Sequence, residues 1–228
     1  MNKPVVLVHG AFHGSWCWER VTPHLDVAGV TWIAPDLPSC AQAATGAALQ
    51  EDVDVVRAAL DELPGEEPAI MLGHSRGGAV ITEAGAHKRV GSLVYLTALL
   101  LDDGEEATDH VSADLPNAIR LNDDGSISVN SGWDAEMFYN DCTEDDVAWA
   151  SGQLRSQNLA LDIADSERAW TVKPSIYVVC TRDKAIPPAS QQTMAGRVNT
   201  TIEWDTGHSP FLNRPDLVAA LLVGLSKG

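Results

Sequence analysis

Three residues spaced along this chain can together carry out acyl transfer: a serine set between glycines, an aspartate and a histidine. The serine is Ser75, in the run Gly73-His74-Ser75-Arg76-Gly77-Gly78. The apolar run Ala69-Ile70-Met71-Leu72 precedes it, and a helix-compatible segment over residues 79–87 follows. Strand, G-x-S-x-G, helix is the context of a nucleophile elbow. The serine occupies a tight, strained turn that holds its Oγ clear of the backbone, and the glycines on either side keep side chains out of that turn. A helix beginning beside Ser75 also offers free N–H groups and the positive end of its dipole to a developing oxyanion. The aspartate and histidine are Asp183, after the strand-like run 174–180, and His208, after the run 200–204. Each of the three therefore stands just past the C-terminal end of a predicted strand. In an open parallel sheet those ends lie along one edge, where sites form. Two further aspartates, Asp102 and Asp103, follow the fourth predicted strand and compete with Asp183 as the acid. Asp205, three residues before His208, reads as a loop-shaping acid, and His74 as structural.

The elements that must position these residues alternate. Strands are expected over 4–8, 30–35, 69–72, 92–97, 174–180 and 200–204. Helices are expected over 15–28, 47–63, 79–87 and 190–198, and from near Arg214-Pro215 onward. Strand–helix alternation predicts an α/β fold with a mainly parallel sheet. A loop of small residues is expected over 39–46. The first strand, continuously apolar, runs into His9-Gly10-Ala11-Phe12-His13-Gly14. That loop is where the second oxyanion donor belongs, and its position assigns the donor to the Ala11 N–H; His9 and His13 are read first as loop-packing residues. After Leu101 the texture changes: residues 102–173 are acidic, rich in Asn, Asp, Ser and Gly, and carry Trp133, Phe138, Tyr139, Trp149 and Trp170 without a strong strand. They are expected to form a mostly helical cap inserted after the fourth strand, with 1–101 and 174–228 as the core. No internal repeat or interdomain linker interrupts the chain.

Composition sets outer limits. The 228 residues suit one α/β domain with an insertion, and 45% hydrophobic content supplies a buried core. A net charge of −17 argues against nucleic-acid backbones and anionic membranes as partners, because both repel it. Cys17, Cys40, Cys142 and Cys180 are scattered without a C-x-x-C pair, which argues against a zinc or redox motif. No signal peptide and no apolar run of transmembrane length is evident, so a cytoplasmic protein with reduced thiols is the expectation.

The order Ser, Asp, His along the chain is the order of the α/β-hydrolases. Four stretches resemble the plant methylesterase and hydroxynitrile lyase group of that superfamily: residues 6–18 (Val-Leu-Val-His-Gly-Ala-Phe-His-Gly-Ser-Trp-Cys-Trp), residues 73–78, Cys180-Thr181-Arg182-Asp183-Lys184-Ala185-Ile186-Pro187, and Gly207-His208. The resemblance covers nearly the whole chain and is weakest in residues 102–173; the composition is that expected of a bacterial member. It implies a six-stranded core with a helical lid, a catalytic triad of Ser75, Asp183 and His208, and oxyanion donors at Ala11 and Arg76. Phe12, His13, Trp133, Phe138 and Ile186 are the expected substrate contacts. Two departures matter. The lyases carry a lysine directly after the catalytic histidine and a threonine in the first loop, where this chain has Ser209 and Ala11, so cyanohydrin cleavage is disfavoured. Arg76 replaces the usual apolar residue after the nucleophile; it either reaches a substrate carboxylate or carbonyl, or pairs with an acid of the cap.

These residues predict a serine carboxylic ester hydrolase acting on small to medium uncharged esters, with no metal or organic cofactor, working as a monomer or homodimer. A lactonase, an amidase, a cofactor-free C–C bond-cleaving enzyme, or a hydrolase-fold ligand receptor with little turnover are the alternatives.

Overall fold

In a computed structural model, residues 2–40, 48–158 and 168–228 are described. The expected small-residue loop over 39–46 falls mostly outside them. Six strands form one parallel sheet: β1 (Val5–Val8), β2 (Trp32–Ile33), β3 (Ala69–His74), β4 (Val90–Leu96), β7 (Ser175–Cys180) and β8 (Thr200–Trp204), in the order β2-β1-β3-β4-β7-β8. The central strands β1, β3, β4 and β7 are buried on both faces, which is why they read as apolar runs rather than as alternating ones. Val6, Val8, Met71, Leu93, Tyr95 and Tyr177 point into one core, and Val5, Leu7, Ile70, Leu72, Val94, Leu96 and Val178 into the other. Helices α2 (Leu49–Glu62), α3 (Gly77–Ala84) and α8 (Pro188–Ala195) close the first core. Helices α1 (Thr22–Val27), α9 (Pro210–Asn213) and α10 (Pro215–Lys227) close the second.

Two expected elements are shorter than their patterns. The helix expected over 15–28 is a 3₁₀ turn over Ser15–Trp18 followed by α1. Pro23 explains the break: it has no N–H for an i→i−4 bond and its ring clashes with the carbonyl four residues back, so the helix restarts with Pro23 in its first turn. The second strand keeps only two residues, Trp32 and Ile33, at the sheet edge, where Pro35 cannot donate to a ladder.

Between β4 and β7 the described residues form short helices, α4 (Leu115–Ala118), α5 (Trp133–Met137), α6 (Glu144–Ser151) and α7 (Ala169–Val172), together with a two-stranded antiparallel ribbon that the sequence reading did not anticipate. The ribbon pairs β5 (Ile119–Leu121) with β6 (Ile127–Val129), turning at Gly125 with φ +82°. No helix among the described residues is long and apolar enough to cross a membrane.

The strand order reverses direction between β1 and β3, and ligands bind at such switch points beyond the strand C-termini. The register places Val8 beside Gly73 and His74 beside Leu96, so the loop after β1 and the turn after β3 emerge side by side. Close backbone approach permits this. A Cβ on Gly77 would lie 2.7 Å from the carbonyl oxygens of both Val8 and His9. Because both obstacles are backbone, Gly77→Ala must shift β1 against α3 and is expected to cost at least ~2 kcal/mol, measurable by urea unfolding.

Candidate active site

Ser75 adopts φ +52°, a left-handed conformation that a non-glycine residue holds only when its surroundings fix it. They do so from three sides. The Ser75 N–H donates to Leu96 O (3.3 Å), and the Ser75 carbonyl accepts from Gly78 N (3.0 Å) and Leu99 N (2.9 Å). The turn is tight enough that a Cβ on Gly73 would sit 2.6 Å from Gly77 O. The expected elbow is therefore present, with α3 leaving directly from it.

Asp183 follows β7 and its carboxylate is buried. It accepts from His208 Nδ1 (2.7 Å), Ala185 N (2.7 Å), Ile186 N (3.0 Å), Gln191 Nε2 (3.1 Å) and Thr97 Oγ1. Oδ1 meets the two backbone N–H groups and Oδ2 meets Thr97, Gln191 and His208, so both oxygens are engaged. Because His208 donates from Nδ1, its tautomer leaves the lone pair on Nε2, the arrangement a general base requires. The His208 carbonyl in turn accepts from His74 Nε2 at 2.8 Å. Asp102 and Asp103 are exposed and pair with Arg168, so the histidine's acid partner is Asp183 and not either of them. Asp205 is exposed and bridges Arg182 Nε at 3.0 Å, in keeping with loop shaping.

Thr97 and Gln191 escaped the sequence reading. Gln191 carried no signal in the sequence, where it is one more polar position of an expected helix; the structure shows it fully buried, its amide also binding Cys180 N and O and Ile186 O. Thr97 carried none, since a threonine suits the end of a strand as well as any residue.

Ser75 opens on a cavity of about 180 Å³. Ala11, Phe12 and Arg76 contribute to its wall beside Ser75, Leu99, Ala185 and Ile186 come from the sheet edge, and Ala107, Thr108, Val111, Leu115 and Phe138 come from the segment between β4 and β7. The lining is almost wholly apolar. Of the expected substrate contacts, Phe12, Phe138 and Ile186 line this cavity, whereas His13 and Trp133 do not. His13 is buried behind the loop, its Nδ1–H donating to Ala11 O (2.7 Å) and its Nε2 accepting from Tyr139 Oη (3.0 Å). Trp133 starts α5 half-buried against the second core.

The Ala11 N–H has no protein acceptor among the described residues, while the next one, Phe12 N–H, is taken by Gln157 Oε1 at 3.2 Å. The Arg76 N–H stands at the N-cap of α3, where a helix leaves its first donors without intrahelical partners. Among the described residues the Arg76 side chain pairs with no acid of the 102–173 segment, the partner that one reading expected. Its Nη1 lies 2.6 Å from Asp52 Oδ2 on α2, both groups buried, so its charge is compensated inside the core and is not offered to the cavity. Among the described residues no cluster of three His, Cys, Asp or Glu side chains is placed to hold a metal ion.

A parallel sheet carrying a serine on a strained strand–helix turn, with an Asp–His pair beyond later strands, defines the α/β-hydrolase class. The chain belongs to the alpha/beta hydrolase family, whose pattern matches residues 5–221. It is 27% identical over 240 residues to "Alpha/beta hydrolase nvfD" of Aspergillus novofumigatus (strain IBT 16806), covering 97% of this chain and 96% of that protein. It is 27% identical over 241 residues to "Methylesterase 1" of Arabidopsis thaliana, covering 92% and 90%. The crystal structure of polyneuridine aldehyde esterase superposes with a TM-score of 0.85 at 22% identity, over 99% of this chain and 100% of that one.

Three buried histidines near the site, of which His74 packs against His208, are held neutral by burial. Loss of water lowers His9 to about 4 and His13 to about 3, and drives His74 well below the ordinary imidazole value. Their rings crowd one another: His74 lies 4.6 Å from His208 and 5.9 Å from His13, centre to centre. In the unfolded chain these imidazoles take up protons below about pH 6.5, while in the folded one they resist until far lower. The unfolded state thus binds more protons, and the stability each contributes is complete above pH 6.5 and is lost as the pH falls through its folded value. Folding free energy measured by denaturant titration is expected to fall steadily from pH 6.5 to 4. His13→Gln is expected to remove from that slope up to ~1.4 kcal/mol per pH unit, the share of one such histidine.

Proposed function

We propose that this chain is a serine carboxylic ester hydrolase for small to medium uncharged esters, acting as a cytoplasmic monomer or homodimer. The observation that carries the reading is the His208–Asp183 pair, fixed in the tautomer with a free Nε2 lone pair, beyond the same sheet edge as a strained serine that opens on an apolar cavity. His208 Nε2 takes the Ser75 proton as Oγ attacks the ester carbonyl. Asp183 orients the imidazole and stabilises the imidazolium. The backbone N–H groups of Ala11 and Arg76 receive the developing oxyanion, each contributing about 3 kcal/mol by the measure of comparable donors. On collapse, His208 returns the proton to the departing alkoxide. Water then attacks the acyl-enzyme with the same base and the same hole. The names of the relatives, a methylesterase and an aldehyde esterase, agree with this chemistry.

The preference for uncharged esters follows from the lining. With Asp52 compensating the Arg76 guanidinium, no lining residue among the described ones offers a free cation to a substrate carboxylate. The described residues of the 102–173 segment serve as the lid over the described core of 1–101 and 174–228; five of the lining residues belong to that segment. All four cysteines are unpaired, which suits a reducing compartment.

A p-nitrophenyl ester series from acetate to decanoate tests the reading. The wild type is expected to favour short chains, which fit the 180 Å³ cavity. Ser75→Ala is expected to lose at least ~10³-fold in kcat. Equally feeble hydrolysis by both proteins would remove the esterase assignment.

A further inference from the structure

Phe12 is a second residue held left-handed, at φ +65°, and it directly follows the proposed oxyanion donor Ala11. Such a conformation costs on the order of 1 kcal/mol or more in a bulky residue and persists only where neighbours over-determine it. Rotation about φ at Phe12 swings the Ala11–Phe12 peptide, and with it the loop that presents the Ala11 N–H. What fixes Phe12 comes from far along the chain. Gln157 Oε1 accepts from Phe12 N at 3.2 Å, and Arg155 N donates to Phe12 O at 2.8 Å. Gln157 is itself anchored by a two-way backbone bridge to Ile127 of β6, 2.9 Å in each direction.

The other end of the Gln157 amide continues the chain of contacts. Nε2 donates to Ser39 Oγ (2.8 Å), to Ser39 O (3.0 Å) and to Asn158 O (2.8 Å). Ser39 Oγ donates to Asp52 Oδ2 (2.5 Å) and Ser39 N to Asp52 Oδ1 (2.9 Å). Asp52 Oδ2 also accepts from Arg76 Nη1 at 2.6 Å. Gln157, Ser39, Asp52 and Arg76 are all at most 4% exposed. One buried hydrogen-bonded path therefore links the residue after the first proposed oxyanion donor to the side chain of the second.

Stability alone is a poor reason for this path. Arg76 Nε and Nη2 have no partner among the described residues, and a buried guanidinium with one partner is generally less favourable than a well-packed apolar side chain. The path instead holds two backbone N–H groups, from separate loops, at a fixed spacing, which is what an oxyanion hole requires.

We propose that Gln157 is a positioning residue for the oxyanion hole, acting on Ala11 through Phe12 and on Arg76 through Ser39 and Asp52; the inference rests on the ester-hydrolase reading. Gln157→Met keeps the side-chain length and removes both ends of the amide. It is expected to lower kcat on the best p-nitrophenyl ester about 10- to 100-fold, the scale of a small misplacement of catalytic groups, with KM within about twofold of wild type. Affinity for a trifluoromethyl ketone, whose adduct with Ser75 places an oxyanion in the hole, is expected to fall by the same factor. A purely structural glutamine gives the opposite pattern, a lower melting temperature with kcat and ketone affinity within twofold of wild type, and that result overturns the proposal. Should Gln157→Met fail to fold, Ser39→Ala removes the two hydroxyl links of the path, to Gln157 and to Asp52, and leaves only the bonds of the Ser39 backbone. Joint losses in kcat and ketone affinity then support the proposal, and unchanged values overturn it. If the wild type shows no Ser75-dependent ester turnover, the esterase reading fails separately. The rate at which a fluorophosphonate labels Ser75 then decides: its phosphoryl oxygen enters the same hole, so slowed labelling of the variant supports the role of Gln157 and equal labelling refutes it.

Discussion

The turn at Ser75 is a constraint that much of the site geometry answers to. A non-glycine residue at φ +52° is unfavourable alone, and the fold meets that cost with packing that leaves no alternative. Gly73 must be bare because Gly77 O is in the way, and Gly77 must be bare because the end of β1 is. The Ser75 carbonyl is tied to α3 and to the segment after β4. Helix and strands are thereby brought closer than ordinary side chains permit, and this closeness sets the loop after β1 beside the serine. The cavity at the switch point of the sheet is a consequence of the same approach.

A second theme is how buried polar groups are satisfied. Asp183 and Asp52 lie in the interior, and each is surrounded by donors: five on Asp183, and Ser39 together with Arg76 on Asp52. Neither acid has water to fall back on, so loss of a donor leaves a charge exposed to a medium that cannot solvate it. The histidines follow the opposite rule. Burial outweighs the other influences on them, so His9, His13 and His74 remain neutral, and the neutral His74 ring packs against His208 without repelling the imidazolium that the proposed mechanism forms on it.

The sheet, the elbow, and Asp183 and His208 beyond their strands were legible because each rests on local chemistry. Apolar runs mark strands buried on both faces, glycines mark a crowded turn, and a strand end marks the functional edge. What escaped depends on contacts between distant segments. The strands β5 and β6 have three residues each and are at most partly buried; their only marks were the alternation of Ile119, Leu121, Ile127 and Val129 and the Asp124-Gly125 turn, too short to outweigh the helical texture around them. Arg76 was legible as an unusual residue, but its partner was not. Acids are plentiful in this chain, and Asp52 reads as one more polar position on an amphipathic helix until α2 is seen facing the elbow. His13 sits two residues from a proposed oxyanion donor, yet its ring turns away toward Tyr139, a direction fixed by residues 126 positions later.

The arginine beside the proposed nucleophile ties these themes together. A cation at that position, facing an apolar cavity, would be costly to desolvate and would select for anionic substrates. Turning it inward to Asp52 removes both effects but creates a buried ion pair, whose net contribution to stability is small or unfavourable. Such a pair fixes geometry well even where it stabilises poorly, since a buried charge has few positions in which it is satisfied. Here that rigidity is linked through Ser39 and Gln157 to the loop after β1, which also meets the elbow through close-packed glycines and through the His13 and His74 rings. The glycines bring the two loops together, and the polar path adds directional bonds between them at set distances.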